Sequence, residues 1–250
     1  MGYRYDEDLE FLKKLPSKDL DGLVNILVYD TDGKKRFSEE LSKNPKFKKY
    51  YPDHQKYIIE ILEEIQKFGG NTFANLFRGG GVYYREILMD VCDKLKVNYN
   101  KNSSVERIEN NLLSKILENA LDEMSEEERI KLAKELGLKN LTDFTPETFI
   151  GIFQALFRAG GFQSYQLTVI IANAVLKALI GRGLSFGVNA ALTRTMAILT
   201  GPIGWAITGL WTAIEIAGPA YRVTIPVVIE IAALRKKYLY SDKVKQIEFH

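Results

Sequence analysis

The run from Thr195 to Ile214 constrains this chain more than any other stretch, because its twenty residues carry no charged side chain. A helix of that length, rising about 1.5 Å per residue, would just cross a hydrocarbon core of about 30 Å. The run ends at Glu215 and lies within a longer apolar region, residues 183–234. Water disfavours so much apolar surface, so either lipid or the rest of the chain must cover the region.

Small residues recur at four-residue spacing on both sides of Gly201-Pro202. That spacing lets a second helix approach closely, as in the association of glycine-zipper helices in lipid. The proline divides the two halves, because it lacks an amide hydrogen and clashes with the preceding helical turn. The pattern predicts a close-packed helical hairpin whose packing positions are Gly183, Gly187, Ala191, Gly201, Gly209, Ala213 and Ala217.

Charged side chains interrupt the apolar region at Arg194, Glu215, Arg222 and Glu230. A charge at membrane depth costs at least about 2.5 kcal/mol unless it is paired. One interpretation is a membrane-inserted hairpin in which these four buried charges pair with one another, while Arg235-Lys236-Lys237 stays on the cytoplasmic face. The other is a hairpin buried inside a soluble bundle, since small residues also occur where soluble helices cross tightly. The sequence leaves both interpretations open.

Elsewhere the apolar residues follow a helical period, and no segment shows the sustained alternation of a strand. Gly137 is well placed to end a helix. The sequence therefore predicts an all-α, multi-helix bundle with a C-terminal glycine-rich hydrophobic helical hairpin. Helix starts are predicted from an N-cap at Ser17, from capping boxes of Ser103 with Glu106 and of Ser125 with Glu128, and from Thr145-Pro146.

Charge becomes sparse after Gln166, and this shift in composition suggests how the chain divides. We predict a short N-terminal helical domain (1–30), an amphipathic helical domain (31–145), a hydrophobic glycine-rich domain (146–240) and a tail (241–250). The opening residues lack the apolar segment of a signal peptide, and Cys92 is the single cysteine. Both features predict a cytoplasmic protein, placed peripherally or integrally at the inner membrane under the first interpretation.

The pattern Phe-x-x-Leu-Phe-Arg-small-Gly-Gly occurs twice, eighty residues apart, which indicates an internal repeat of a helix–turn–helix corner. Glycine amides at a helix start, with an arginine nearby, can hold an anion. Glycines also allow tight corners that need no ligand. The pattern positions are Phe73, Leu76, Phe77, Arg78 and Gly80 in the first copy, and Phe153, Leu156, Phe157, Arg158 and Gly160 in the second.

The segment Lys43–Tyr51 mixes lysines with aromatic residues. Such a mixture could bind anionic lipid or single-stranded nucleic acid, or it could form a solvated connector anchored by its rings. The net charge of the whole chain is only +2, which gives no general attraction to nucleic acid.

Residues suited to catalysis are scarce. His54 is the only histidine apart from the terminal one, so no His pair or Cys/His cluster is available for zinc. Cys92 lies among core residues of a helix and would become a nucleophile only if His54 packed against it. No nucleotide-binding fingerprint is present. We therefore predict a protein that is not an enzyme and needs neither a cofactor nor a metal.

Two C-terminal segments, Leu199–Ala206 and Ala217–Pro226, resemble the YaaW-like family of bacterial proteins. The opening segment Tyr5–Leu12 is similar to a short N-terminal domain of unknown function that often accompanies that family. The resemblance implies a bacterial source, brings no established activity, and links the chain distantly to ubiquinol–cytochrome c chaperones, which are helical assembly factors.

These observations lead to two functional hypotheses. The first is a membrane-associated helical protein whose glycine-zipper hairpin packs in or inserts into the inner membrane, for permeation, stress response or scaffolding. The alternative is a soluble, chaperone-like helical module that binds an apolar segment of a partner. The predicted partner is membrane lipid or a protein, self-association stays open, and no nucleic acid is expected.

Overall fold

A computed structural model describes residues 2–72, 81–138, 141–181, 183–184, 202–213 and 221–248. Within these ranges the chain forms helices and no β-strand, apart from an isolated bridge between Tyr29 and Lys35. The all-α prediction is confirmed. The α-helices are α1 (Asp21–Val28), α2 (Pro45–Tyr50), α3 (Ile58–Thr72), α4 (Tyr84–Lys94), α5 (Val105–Asp122), α6 (Glu126–Glu135), α7 (Pro146–Ala159), α8 (Gly161–Ile180), α9 (Pro202–Ala213) and α10 (Tyr221–Glu248). Short 3₁₀ helices lie at Glu7–Lys14, Ser17–Leu20, Leu41–Lys43 and His54–Tyr57.

Local signals set the ends of α6 and α7. Ser125 and Glu128 form the predicted capping box at the start of α6, and Pro146 is the first residue of α7, directly after Thr145. Gly137 follows the end of α6 with φ of 69°, a conformation that glycine adopts without a steric penalty. These predicted boundaries are confirmed.

The start of α5 differs from the prediction by one residue. Ser104, not Ser103, is the N-cap, and its Oγ accepts a hydrogen bond of 3.3 Å from the amide of Arg107. Glu106 does not close a capping box, because its carboxylate binds Lys236 on α10 at 2.6 Å. The Glu106 carboxylate, which the sequence pattern predicts at the helix cap, therefore forms a tertiary ion pair instead.

Ser17 was predicted to cap a helix, and the structure gives it a different role. The Ser17 hydroxyl donates a hydrogen bond to Asp53 Oδ1 (2.8 Å) and accepts one from the amide of Gln55 (3.0 Å). These bonds join the Ser17–Leu20 helix to the start of the His54–Tyr57 helix. The cap position of the Ser17–Leu20 helix is Pro16, which makes no side-chain cap.

One hydrophobic cluster extends from Leu9 to Leu234. Helix α10 lies at its centre and contacts α1, α3, α4, α5, α8 and the Glu7–Lys14 segment. Helix α8 packs against α10, α9 and α7. The predicted domain boundaries stay a prediction, although α10 continues to Glu248, past residue 240 where we placed the tail.

The apolar run is only partly described. Helix α9 covers Pro202–Ala213, and its 12 residues span about 18 Å at 1.5 Å per residue. Residues 195–201 and 214 lie outside the described residues, so the glycine-rich hairpin is not confirmed. Among the residues that are described, no helix is both long enough and apolar enough to cross a membrane.

Candidate functional site

Of the four predicted buried charges, the structure describes Arg222 and Glu230, and these two do not pair with each other. Arg222, near the start of α10, is exposed, which corrects its assignment as a buried charge. Glu230, two turns further along α10, is 0% exposed. Arg194 and Glu215 lie outside the described residues. The Arg222 and Glu230 side chains therefore occupy opposite environments on one helix.

Glu230 is the most unusual of these residues. Neither oxygen of the Glu230 carboxyl has a hydrogen-bond partner among the described residues. Burial raises the pKa of this carboxyl to about 8, because the charged form loses its hydration and no cation among the described residues replaces it. At neutral pH the Glu230 side chain is therefore mostly a neutral carboxylic acid inside the apolar core.

Two further polar groups without partners lie on α8, which packs against α10, and on α9, which packs against α8. The Ser164 hydroxyl on α8 and the Trp211 indole nitrogen on α9 are buried and have no hydrogen-bond partner in the described structure. Leaving a buried donor or acceptor unpaired costs about 1–3 kcal/mol. Outside these helices, one side-chain oxygen is likewise buried without a hydrogen-bond partner in each of Glu60, Asp90 and Asn110. Three of the six residues in the described structure with such groups therefore lie on α8, α9 and α10, and we call them the unpaired polar set (Ser164, Trp211 and Glu230).

The helix-packing glycines differ in their surroundings. A Cβ added at Gly183 would overlap the side-chain oxygen of Asn173, which accepts a 3.2 Å hydrogen bond from the Leu184 amide. Gly183 thus lies close to α8. Gly209 is exposed, and an added Cβ would meet no described atom within 4 Å, so no described residue makes the predicted close approach there.

The remaining packing positions stay predictions. The side-chain surroundings of Ala213 at the end of α9 are not described, and Gly187, Ala191, Gly201 and Ala217 lie outside the described residues.

The second copy of the repeated pattern forms the corner between α7 and α8. Phe153 and Phe157 are buried, Leu156 is partly buried, and Gly160 turns the chain with φ of 67°. Arg158 is exposed, and its Nε donates a hydrogen bond to Gln154 O on the same helix. In the first copy, Phe73, Leu76, Phe77, Arg78 and Gly80 lie outside the described residues.

A cavity of about 110 Å³ opens where this corner meets α10. Its lining includes Gly160, Gly161, Tyr240 and the ion pair between Lys236 and Glu106. The Lys236 ammonium is already neutralised by the Glu106 carboxylate, and Arg158 turns toward its own helix. These contacts favour the interpretation of the corner as a structural turn over that of an anion site.

A buried ionic network connects α10 to three other elements, and our sequence reasoning did not find it. Arg235 Nε lies 3.1 and 2.9 Å from the two carboxylate oxygens of Glu109, and Arg235 Nη2 donates to Asp8 O at 2.7 Å. The Tyr84 hydroxyl donates to Glu109 Oε1 at 2.8 Å, and the guanidinium lies 4.4 Å from the centre of the Phe11 ring. Burial raises the pKa of the Glu109 carboxyl, and the Arg235 charge opposes that shift.

The next two residues of α10 are also paired. Lys236 binds Glu106 and Lys237 binds Asp19, each at 2.6 Å. This corrects the expectation that the basic triplet Arg235-Lys236-Lys237 faces the cytoplasm at a membrane boundary. One signal for the network was available, because Glu109 lies four residues after Val105 and three before Leu112, on the inner face of α5.

His54 and Cys92 do not form a pair. His54 is buried, with Nε2 2.7 Å from Asp21 Oδ1 and Nδ1 against the Tyr57 hydroxyl. Burial lowers the pKa of the His54 imidazole, and the Asp21 carboxylate opposes this. Burial raises the pKa of the Cys92 thiol to about 12. Across the described ranges, no group of three or more His, Cys, Asp or Glu side chains could hold a metal ion.

Comparison with known proteins identifies the family. The ubiquinol-cytochrome C chaperone family matches residues 53–229, and a domain of unknown function, DUF3944, matches residues 3–37. A UPF0174 protein of Helicobacter pylori strain J99 is 52% identical over 246 residues, which are 98% of this chain and 97% of that protein. UPF0174 protein YaaW of Escherichia coli K12 is 33% identical over 244 residues, which are 94% of this chain and 96% of YaaW.

No solved structure matches the chain. The predicted resemblance to YaaW and the more distant grouping with the chaperones are both confirmed by these comparisons. The chain therefore belongs to the UPF0174 family of bacterial proteins and, over residues 53–229, to the ubiquinol-cytochrome C chaperone family.

Proposed function

We propose that this protein is a non-catalytic, chaperone-like helical protein that binds an apolar segment of a partner protein through α8, α9 and α10. The unpaired polar set carries this proposal, since its three members lie on these three helices. The family match supports it, because residues 53–229 include α8, α9 and the first part of α10.

The unpaired polar set affects the balance between two arrangements of α8–α10, a closed one in which these groups are buried and an open one in which water or a partner reaches them. A buried hydroxyl, indole N–H and carboxyl gain hydrogen-bond partners when water or an incoming polypeptide reaches them. The closed packing of these helices is therefore less stable than the same packing with apolar side chains. An incoming segment can replace the lost apolar contacts with its side chains and satisfy the polar groups with its backbone.

The membrane-inserted hairpin has less support. It requires the region's charged residues to be paired, but Arg222 is exposed and Glu230 has no partner among the described residues. The Arg235-Lys236-Lys237 triplet, which this hypothesis places at a membrane boundary, is held by carboxylates of Asp19, Glu106 and Glu109.

The test is chemical cross-linking in the native bacterium, with mass spectrometry of complexes that contain the tagged full chain. Glu230→Met replaces the unpaired carboxyl by an apolar side chain of similar shape and should stabilise the closed packing by about 1–3 kcal/mol. We expect wild-type protein to cross-link a defined partner through α8–α10, and Glu230→Met to reduce that yield severalfold.

A matched control separates closure of α8–α10 from stability in general. Gly151 is an exposed glycine within α7, and an added Cβ there would meet no atom within 4 Å. Gly151→Ala should therefore stabilise the protein by about 1 kcal/mol without changing α8–α10, and it should leave the cross-link unchanged. Equal yields from Glu230→Met and wild type, or cross-links confined to α1–α6, would contradict the proposal.

A further inference from the structure

The described surface around α2 carries an excess of positive charge. Between Leu41 and Glu60 the chain has five lysines, no arginine and two carboxylates, a surplus of three positive charges. All five lysines are exposed. We call this region the lysine surface, and its members are Lys43, Lys46, Lys48, Lys49 and Lys56.

Only part of this charge is neutralised by the protein itself. Lys46 lies 2.7 Å from Glu60, and Lys56 lies 3.1 Å from Asp53. Lys43, Lys48 and Lys49 have no ion pair with any described residue. The surplus charge is therefore presented to solvent by side chains that are not bound to carboxylates.

Aromatic residues accompany these lysines. The ammonium groups of Lys49 and Lys56 lie 5.0 and 5.4 Å from the centre of the Tyr50 ring, which holds both charges on the same side of the molecule. Tyr51 is 51% exposed, and Ile59 in the same stretch is 40% exposed. The surface thus combines unneutralised lysines with exposed side chains that have apolar bodies.

The local fold holds the lysine surface in place. Asn44 caps α2 by accepting a hydrogen bond of 2.8 Å from the Lys46 amide. On the inner side of α2, Phe47 is buried, and its ring centre lies 5.3 Å from that of Tyr57. The lysines are therefore carried by an anchored helix, and no described α8–α10 residue belongs to this surface.

We propose that the lysine surface binds the headgroups of an anionic lipid bilayer, with Tyr51 at the level of the headgroups. Lysines near an anionic bilayer surface each strengthen binding, and tyrosine is favoured at the boundary between water and hydrocarbon. The site lies outside the apolar C-terminal region and is independent of the partner binding proposed above.

Two observations favour a bilayer over nucleic acid. Arginine, whose planar fork binds single phosphates through two hydrogen bonds, is absent from Leu41–Glu60, whereas lysine acts as a point charge toward a field of many phosphates. The Tyr51 ring already packs 5.2 Å from Phe47 and 5.7 Å from His54, which leaves less of the ring free for stacking a base.

The experiment is sedimentation of the full chain with vesicles of phosphatidylcholine alone and of phosphatidylcholine mixed with phosphatidylglycerol. We expect binding only to the mixed vesicles, and weaker binding as salt is added. The triple variant Lys43→Glu, Lys48→Glu, Lys49→Glu should bind at least about a hundredfold more weakly, since each lysine near an anionic surface contributes about fivefold.

A control with the same change in net charge tests the location of the site. Lys101, Lys131 and Lys134 are exposed on other parts of the described surface, and their triple substitution by Glu should leave most of the binding intact. Circular dichroism should show unchanged helicity for both variants, because all six side chains are exposed.

Three results would overturn the proposal. The first is no sedimentation of the wild-type chain with the mixed vesicles at low salt. The second is an equal loss of binding in both triple variants. The third is tighter binding to the single-stranded polyanion oligo(dT) than to the mixed vesicles at equal phosphate concentration, which would indicate nucleic acid instead. None of these results depends on the cross-linking partner of α8–α10.

Discussion

Glu230 shows how a single buried group makes stability depend on pH. Its carboxyl has an ordinary pKa of 4.5 in the unfolded chain and a pKa of about 8 in the folded protein. The folded state therefore binds the proton more tightly than the unfolded state at any pH between these values. The contribution of Glu230 to stability is complete below pH 4.5 and is lost as the pH rises toward 8.

Glu230→Gln removes this titration and keeps a side chain of similar size. Between pH 5 and 8, we expect the free energy of unfolding of the wild type to fall relative to the variant by up to about 1.4 kcal/mol per pH unit. Urea unfolding of both proteins at several pH values measures the difference. If the free energies of unfolding of the two proteins changed with pH in the same way, Glu230 would not hold its proton in the folded state.

Arg235 differs from Glu230, because its largely buried charge is paired with the Glu109 carboxylate and also binds the Asp8 carbonyl. Arg235→Met would leave the Glu109 carboxylate in the core without its cation, and breaking a buried pair in this way costs about 3–5 kcal/mol. Glu118→Ala breaks the surface pair with Lys115 and should cost about 0.5 kcal/mol or less. Urea unfolding of the two variants compares the costs, and similar small losses would mean that the Arg235 network contributes little.

Helix ends were the elements most accessible from sequence, because their chemistry is local. The Ser125 box and the start of α7 at Pro146 involve residues within one turn of each other, and both were predicted. The error at α5 has a tertiary cause, since Glu106 binds Lys236, 130 residues away. A pairing at that separation leaves no periodic pattern in the chain.

The cap of α5 can be tested with adjacent serines. Ser104→Ala removes the hydroxyl that accepts from the Arg107 amide and should destabilise the protein by about 1 kcal/mol. Ser103→Ala removes no described side-chain hydrogen bond and should cost much less. Thermal unfolding of the two variants under one condition is sufficient. A larger loss of stability for Ser103→Ala than for Ser104→Ala would instead support the capping box of Ser103 and Glu106 that the sequence predicts.

Across the whole molecule, the sequence predicted that the C-terminal helices are too apolar to be left in water, and α8 and α10 are accordingly buried in the common core. It did not predict what covers α10. The rings of Phe11 and Tyr238 lie 5.9 Å apart, and Lys237 binds Asp19, so residues of the first twenty positions pack on the last described helix. Amphipathic patterns identify a buried face but not the element that buries it.

This arrangement gives a prediction about residues 1–145, the two N-terminal domains inferred from composition. Without α10, the inner faces of the Glu7–Lys14 segment, α1 and α4 lose a main packing partner. We expect the isolated fragment to bind a hydrophobic dye and to unfold without a cooperative transition. A sharp calorimetric transition for the fragment would instead establish an independent N-terminal unit.

The central position of α10 also affects how the core is completed during synthesis. Every other described helix precedes α10 along the chain, yet α1, α3, α4, α5 and α8 all pack against it. A ribosome therefore releases most of the polypeptide before the helix that joins those segments has emerged. Until then the nascent chain exposes apolar faces that native packing cannot yet cover, so this protein should itself need protection from aggregation while it is being made.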